Sequence, residues 1–461
     1  MSGEAATCSS LRSAVARMRG EGLVKDVGAP LSTEYEIPYV ISRLEGRYAC
    51  IFHKPLHKGR EHSIPVIGGI YSSRKAISTA ISSKLPVQDV LARALEGRGA
   101  TARGQPAFGE KVVEEPDVVD VLPVLRHYPC EPAPYITAGV VFAKHPDGYT
   151  SASYHRMMPA GRSRLAMRVV EGRELHRIIS MREDAGEPTE VAIAIGVPPA
   201  VALAAASPTM GADKLELAAA IQGSPLEVAG CETVDLEVPA CSEIVLEGVI
   251  EPGSREMEGP FYEIMGVDIA RMQPAVDVKL MQLAESPLYQ AILPGGREHE
   301  LLMGLPVEPI ILKEVRKHAK KAKVAMTPAG AHWIEAAISI EKEYEGQPLV
   351  VALAAISAHK SLKSVIVVDD DVDVEDYEQV ARAVAQRANP ARDIHVIREV
   401  RGSSLDRSNL RYVNIGGRRV LIEEPQSKVI VDATCKASRD LFTRPEMPVD
   451  KRRLEEVLLA E

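Results

Sequence analysis

The sequence predicts a mixed α/β (α+β) chain in which two helix-and-strand regions flank a β-rich centre. Three observations carry this. Before about residue 110, helix-period and strand-like segments alternate. From about Tyr135 to Leu293, strand candidates follow one another at close spacing, and after about Gly304 the alternation returns. At 461 residues the chain is long enough for two or three domains around a large core. The expected divisions are an N-terminal α/β domain over 1–113, a barrel or sandwich over 114–304, and a C-terminal α/β domain over 305–438. A last helix in 439–461 is expected to touch another subunit.

In order, Leu11–Leu23 carries helical spacing at Leu11, Val15 and Met18, and Gly20 and Gly22 end it. Glu34–Ser42 starts a second helical pattern, Tyr48–His53 and Ser63–Ile70 read as short strands, and Ser73–Leu95 is mostly helical. Glu114–Val124 reads as a linker. The central strand candidates are Ile136–Ala143, Ser151–Met158, Leu165–Val170, Thr189–Ile195, Leu226–Val238, Glu243–Ile250, Ala275–Leu283 and Leu288–Leu293. Helices at Leu175–Ala185 and about Ala200–Gln222 interrupt them. Further on, Pro348–Ile356, Ser364–Val368 and Ile394–Ile397 read as strands and Val374–Arg387 as an amphipathic helix. Arg444–Leu459 is Pro-punctuated and then helical.

A net charge of −9 and the lack of a basic stripe with interleaved aromatics argue against a nucleic-acid binder. The one basic run, Leu312–Lys323, keeps an apolar stripe and reads as a solvated helix face. No apolar run reaches the ~18–20 residues that span a bilayer, and the first residues lack a signal-peptide core. Cys8, Cys50, Cys130, Cys231, Cys241 and Cys435 are scattered without a CxxC pair, which fits reduced thiols in a cytoplasmic protein.

The most informative stretch is Ser242–Gly266, a strand and turn followed by Glu258-Gly-Pro-Phe-Tyr-Glu263. Two acids five apart face different sides of a straight strand or helix. Gly259-Pro260 allows a kink that could bring both to one pocket, as one acid and one base; two solvated loop acids are the plainer reading. In Ser151-Ala-Ser-Tyr-His-Arg156, an inward Arg156 would need a carboxylate partner, whereas an outward one would not. Arg162, Arg164, Arg168, Arg173, His176 and Arg177 crowd together and could hold a phosphate or form surface ion pairs. Asp369-Asp370-Asp371 after a strand could hold a divalent metal, as in nucleotide-sugar transferases, or cap a helix opening near Asp373.

Together these segments resemble the UbiD family of prenylated-flavin decarboxylases. The specific blocks are Asp235–Gly266, the VVDDDVD…RANPARD block from Val367 to Asp393, Ser403–Asp406 (SSLD) and Asp432–Thr434 (DAT). The resemblance implies a central split β-barrel like that of flavin reductases, prenylated FMN made by a separate flavin prenyltransferase, and a homo-oligomer, dimer or hexamer. It implies Arg156, Glu258 and Glu263 as the catalytic trio acting on an α,β-unsaturated acid. Glu263 would protonate the product carbon, Glu258 would fix Arg156, and burial would raise the Glu263 pKa relative to Glu258. It also implies cofactor contacts from Ser151, Ser153, Tyr154, His155, Arg156, Arg168, Val169, Val170, Arg173, Glu174 and Lys214.

The family's metal ligands, Asn, His and Glu, fall here on Ser151, Gly172 and Lys214. A protonated lysine has no lone pair to give. The expectation is therefore no manganese, with Lys214, Arg168 and Arg173 neutralising the flavin phosphate. A register shift to Ser151, His176 and Glu216 is the alternative. These departures point to an archaeal branch converting trans-anhydromevalonate 5-phosphate to isopentenyl phosphate. The rivals are a 4-hydroxybenzoate-type decarboxylase of quinone biosynthesis, a metal-dependent nucleotide-sugar transferase and a non-catalytic flavin binder. With 4% aromatic residues, the chain leans toward a small aliphatic substrate.

Overall fold

A computed structural model of the chain describes residues 9–442, 447–449 and 454. Most of the terminal helix expected at Arg444–Leu459 lies outside these residues. The centre is a nine-stranded sheet that curls into a half-barrel. Its path runs Thr150–Tyr154, Val140–Lys144, Thr189–Ile195, Ile244–Ile250, Arg271–Ala284, Arg164–Met167 and Met157–Pro159, antiparallel throughout. Arg255–Glu258 and Phe108–Glu114 also pair with the long strand Arg271–Ala284.

Both faces of the sheet are buried, so its inner strands are almost continuously apolar. Ile193, Ile195, Ile244 and Leu246 pack with Leu175, Ile178 and Ile179 of the helix Glu174–Asp184. Ala192, Ala194 and Val245 face the opposite core with the helix Pro199–Ala206. The ladder shifts register at Glu247/Gly248, where a Cβ on Gly248 would stand 2.6 Å from the Asp277 carbonyl oxygen. The strand Tyr289–Gln290 leaves this region and pairs with Val66–Gly68, extending the sheet of Val24–Val27 and Ala49–Phe52. The C-terminal region is a five-stranded sheet ordered Ala322–Met326, Glu335–Ile340, Ser364–Asp369, Gln426–Asp432 and Ile394–Val400.

Several elements differ from expectation. Pro348–Ile356 is not a strand but part of the helix Gln347–Ala358. Its Val350 and Leu353 are exposed, which blurs the apolar periodicity that marks a helix. The expected helix Ala200–Gln222 is two, Pro199–Ala206 and Lys214–Gln222, with Pro208 and Gly211 between them. Ser73–Leu95 likewise divides into Arg74–Ala80 and Val87–Glu96. Leu226–Val238 is two antiparallel strands, Leu226–Gly230 and Glu237–Pro239. Glu114–Val124 is no linker: Val118, Leu122 and Val124 are buried in the core. The basic run at Leu312–Lys323 straddles the end of the helix Glu308–Val315 and the strand Ala322–Met326. Cys50, Cys130, Cys231 and Cys435 are free, but Cys241 is disulfide-bonded, against the expectation of reduced thiols.

Candidate active site

The strand expected at Ser151–Met158 is interrupted. Thr150–Tyr154 ends, His155 and Arg156 stand off the ladder, and Met157–Pro159 resumes on the far side of the sheet. A neutral imidazole holds this break. Its Nδ1 donates to the Arg168 carbonyl at 2.8 Å, leaving Nε2 to accept from the Ser153 hydroxyl at 2.8 Å. Burial lowers the His155 pKa to about 4, so the ring stays uncharged near neutrality.

Arg156 turns inward and is 8% exposed. Its Nε and Nη2 donate to Glu258 Oε1 and Oε2 at 2.8 and 3.0 Å, a two-pronged pair. Nη2 also donates to Asp268 Oδ2 at 3.0 Å, and Nη1 donates to Glu263 Oε1. The Phe261 ring lies 4.4 Å from the guanidinium carbon. Burial works against the arginine's charge, but Glu258, Glu263 and Asp268 outweigh it and raise its pKa above the usual value. A guanidinium has five N–H groups. These four bonds leave one N–H, on Nη1, for a ligand.

The kink expected between the two glutamates is present. The strand Arg255–Glu258 ends at Gly259, whose φ of +93° is open to glycine, and the strand Phe261–Glu263 begins after Pro260. Tyr135 braces the bend: its hydroxyl donates to Glu258 Oε1 at 3.2 Å and accepts from the Gly259 N–H at 3.1 Å. The deeper burial expected of Glu263 falls instead on Glu258. The Glu258 side chain is fully buried, whereas that of Glu263 is 16% exposed. What distinguishes Glu263 is its pairing: only Oε1 is bonded to Arg156, while Oε2 lies 3.8 Å from His299 Nε2. His299 Nδ1 accepts from the Gly295 N–H at 3.1 Å, so in the neutral ring the proton sits on Nε2, facing Glu263. Burial lowers the His299 pKa, which keeps that ring neutral.

Asp268 was not foreseen. It lies opposite Phe261 in the two-stranded ladder of Phe261–Glu263 with Gly266–Asp268. Besides Arg156, it takes Arg271 through two bonds of 2.7 and 2.8 Å and Arg407 through one of 3.3 Å. Burial would raise its pKa, but Arg271 and Arg156 pull it well below the carboxylate range. The sequence signal was present in weak form, since Asp268 repeats the five-residue step from Glu258 to Glu263. Tyr135 and His299 carry no such signal.

Arg156, Glu263, Asp268 and His299 border a cavity of about 410 Å³, within the range of small-molecule sites, with Glu258 and Tyr135 behind them. Of the residues expected to bind a cofactor, Ser151, Ser153, Tyr154, His155, Arg156, Arg168, Val170, Arg173, Glu174 and Lys214 border it. Val169 does not: its side chain is in the core and its N–H donates to Gln273 Oε1 at 2.8 Å. Of the arginine cluster, Arg168 and Arg173 reach the cavity, while Arg164 is held by Glu256 and Asp277. Two polar atoms at the wall, the Tyr154 hydroxyl and Glu174 Oε2, are buried without a hydrogen-bond partner. Volume, cationic end and unpartnered polar atoms suit a flavin mononucleotide.

The residues at the positions expected to ligate a metal, Ser151, Gly172 and Lys214, supply no carboxylate or imidazole for a divalent ion. Among the described residues no three His, Cys, Asp or Glu side chains gather as a metal site. His176 and Glu216 do not border the cavity, so the register-shift alternative is not supported. The transferase reading also loses its motif. Asp371 takes a forked pair from Arg387 at 2.9 and 2.8 Å, Asp370 pairs with Arg439, and Asp369 accepts from both arginines. Nor do these three aspartates cap a helix opening near Asp373: the helix is Tyr377–Arg387, and Asp376 caps it.

A curled central sheet with a buried arginine held by three acids over a flavin-sized cavity defines a flavin-dependent carboxy-lyase fold. The chain belongs to the UbiD family: residues 15–101, 100–297 and 300–433 match the N-terminal, Rift-related and C-terminal domains of 3-octaprenyl-4-hydroxybenzoate carboxy-lyase. It is 39% identical over 395 residues to an anhydromevalonate phosphate decarboxylase of Methanothermobacter thermautotrophicus, covering 84% of this chain and 89% of the relative. It superposes on the UbiD-class enzyme HmfF from Pelotomaculum thermopropionicum in complex with FMN with a TM-score of 0.88 at 34% identity, covering 97% and 99% of the two chains. An evolved dimeric form of HmfF in complex with prenylated FMN gives 0.84 at 33% identity, covering 97% and 100%.

Proposed function

We propose that this chain is a prenylated-FMN-dependent decarboxylase of trans-anhydromevalonate 5-phosphate, releasing carbon dioxide and isopentenyl phosphate. The observation that carries the reading is the inward Arg156, bonded by Glu258, Glu263 and Asp268 at the wall of a cavity with a cationic end. Likeness to the archaeal decarboxylase supports the substrate, and the few aromatics at the wall, Tyr154, Phe261 and Trp333, suit an aliphatic acid. The protein works as a cytoplasmic homo-oligomer whose cofactor comes from a separate flavin prenyltransferase.

Ser151, Ser153, Tyr154, Val170 and Glu174 would line the cofactor, with Arg168, Arg173 and Lys214 toward its phosphate. When bound, the prenylated flavin supplies the electron sink that allows the bond to carbon dioxide to break. The remaining work falls to the chain. The free N–H on Arg156 Nη1 takes one oxygen of the substrate carboxylate, and Glu258 and Asp268 fix the guanidinium so that this N–H keeps its aim. The electrons of the breaking bond would be taken up by that sink, and Glu263, entering the step as the neutral acid, would deliver to the α-carbon the proton that replaces carbon dioxide. Neutral His299 stands behind Glu263, with Nε2–H toward Oε2.

The test is co-expression with a flavin prenyltransferase, followed by assay of carbon dioxide and isopentenyl phosphate. Turnover of the unsaturated aliphatic acid supports the reading. Turnover of a 4-hydroxybenzoate but not of that acid overturns it.

A further inference from the structure

Lys214 opens the helix Lys214–Gln222 and is 4% exposed. Its ammonium donates to the Ala204 carbonyl at 3.1 Å, to the Ser207 carbonyl and to the Thr209 hydroxyl at 2.8 Å. Those carbonyls lie at and just past the C-terminal end of the helix Pro199–Ala206, where a cation is favoured; the Ala204 carbonyl accepts from the Ser207 N–H as well. Two carbonyls and a hydroxyl around a buried positive charge form the donor set of a monovalent-cation cage, filled here by the chain's own side chain. All three ammonium protons are used, so Lys214 has none to give a ligand directly.

Thr209 passes the charge on. Its oxygen already accepts from the ammonium, so its own proton must point elsewhere, and Thr209 borders the cavity. A hydroxyl polarised in this way is a strengthened donor to an anion. Arg173 borders the same cavity without an ion pair among the described residues. It immediately precedes the helix Glu174–Asp184, whose start has no side-chain cap.

We propose that the cofactor's phosphate is held without a metal ion: Lys214 is a tethered cation that positions Thr209, and Thr209 with Arg173 takes the phosphate. This rests on the flavin-dependent reading above and adds to it the means by which the phosphate is neutralised. Lys214 is thus a positioning residue and Thr209 a binding residue.

The experiment titrates purified, flavin-free protein with FMN and with riboflavin by fluorescence quenching, in EDTA and then with Mn²⁺. The ratio of the two affinities isolates the phosphate. In the wild type the ratio should be the same in EDTA and in Mn²⁺. Thr209→Val should lower it about tenfold, the worth of one charge-assisted hydrogen bond, with riboflavin affinity unchanged. Lys214→Met should lower it at least as far, and ammonium or potassium ions should partly restore it by refilling the cage. If Lys214→Met does not fold, Thr209→Val decides alone. Loss of wild-type FMN binding in EDTA, or equal losses for FMN and riboflavin in Thr209→Val, overturns the proposal. Failure to bind either flavin overturns the functional reading as well.

Discussion

Asp268→Asn tests whether the third acid fixes the arginine. In the native site Oδ2 accepts from Arg156 and Arg271, and Oδ1 accepts from Arg271 and Arg407. An asparagine has one carbonyl oxygen and one NH2, so the NH2 must meet guanidinium donors on one side. If it faces Arg156, that charge-assisted bond is lost. If it faces Arg271 and Arg407, the bond to Arg156 survives only as a weaker neutral one, and the surrounding arginines lose their counter-charge. A hydrogen bond to a charged group is worth about 1.5–3 kcal/mol, which corresponds to a fall of about 10–150-fold in kcat/KM. Because Arg156 is assigned to the substrate carboxylate, KM should rise as kcat falls. FMN affinity should fall by less than kcat/KM, since Arg168, 3.8 Å from Asp268, is only one of the groups assigned to the phosphate. Initial rates of carbon dioxide release across a range of substrate concentrations measure the effect. A kcat/KM within about threefold of wild type would refute the role given to Asp268.

Two further outcomes concern stability. His155, His332 and His359 are each pushed down to about 4 by burial, against an ordinary 6.5. The unfolded chain binds more protons between these values, so stability is full above pH 6.5 and falls as pH drops toward 4. Urea midpoints at pH 7 and 5 should show that fall, and His359→Gln should make it shallower; equal midpoints in the wild type would contradict it. Gly304 ends the helix Arg297–Gly304 that carries His299, and a Cβ there would stand 2.0 Å from the His332 carbonyl oxygen. Gly304→Ala should therefore cost about 1–3 kcal/mol, read as a lower midpoint of thermal unfolding; an unchanged midpoint would show that the backbone at His332 yields freely.

Residue by residue, the acids and the arginine stayed open between a shared pocket and solvated surface groups, and the family resemblance singled them out. Gly259-Pro260 between two glutamates makes a poor strand and a poor helix, and Arg156 lies in an otherwise mildly polar strand. Asp268 was not legible, because its place depends on the ladder that sets Phe261 opposite Asp268, a pairing formed only once the chain has turned. His299 and Tyr135 come from distant segments and carry no periodic mark. The cage around Lys214 depends on a helix ending at Ala206, and the apolar run from Ala200 hid that ending. Central strands were read with fair bounds because both faces are buried, whereas the helix Gln347–Ala358 was misread because its exposed face is also apolar.

The claim on which the account turns is that Glu263, held beside Arg156, delivers the proton that replaces carbon dioxide. Glu263→Gln in the holoenzyme keeps a polar side chain of the same length and removes the acid. Turnover should fall by about 10²–10⁴-fold while the bound-flavin spectrum matches wild type. A variant that releases isopentenyl phosphate at near wild-type rate, with the flavin bound, would contradict it.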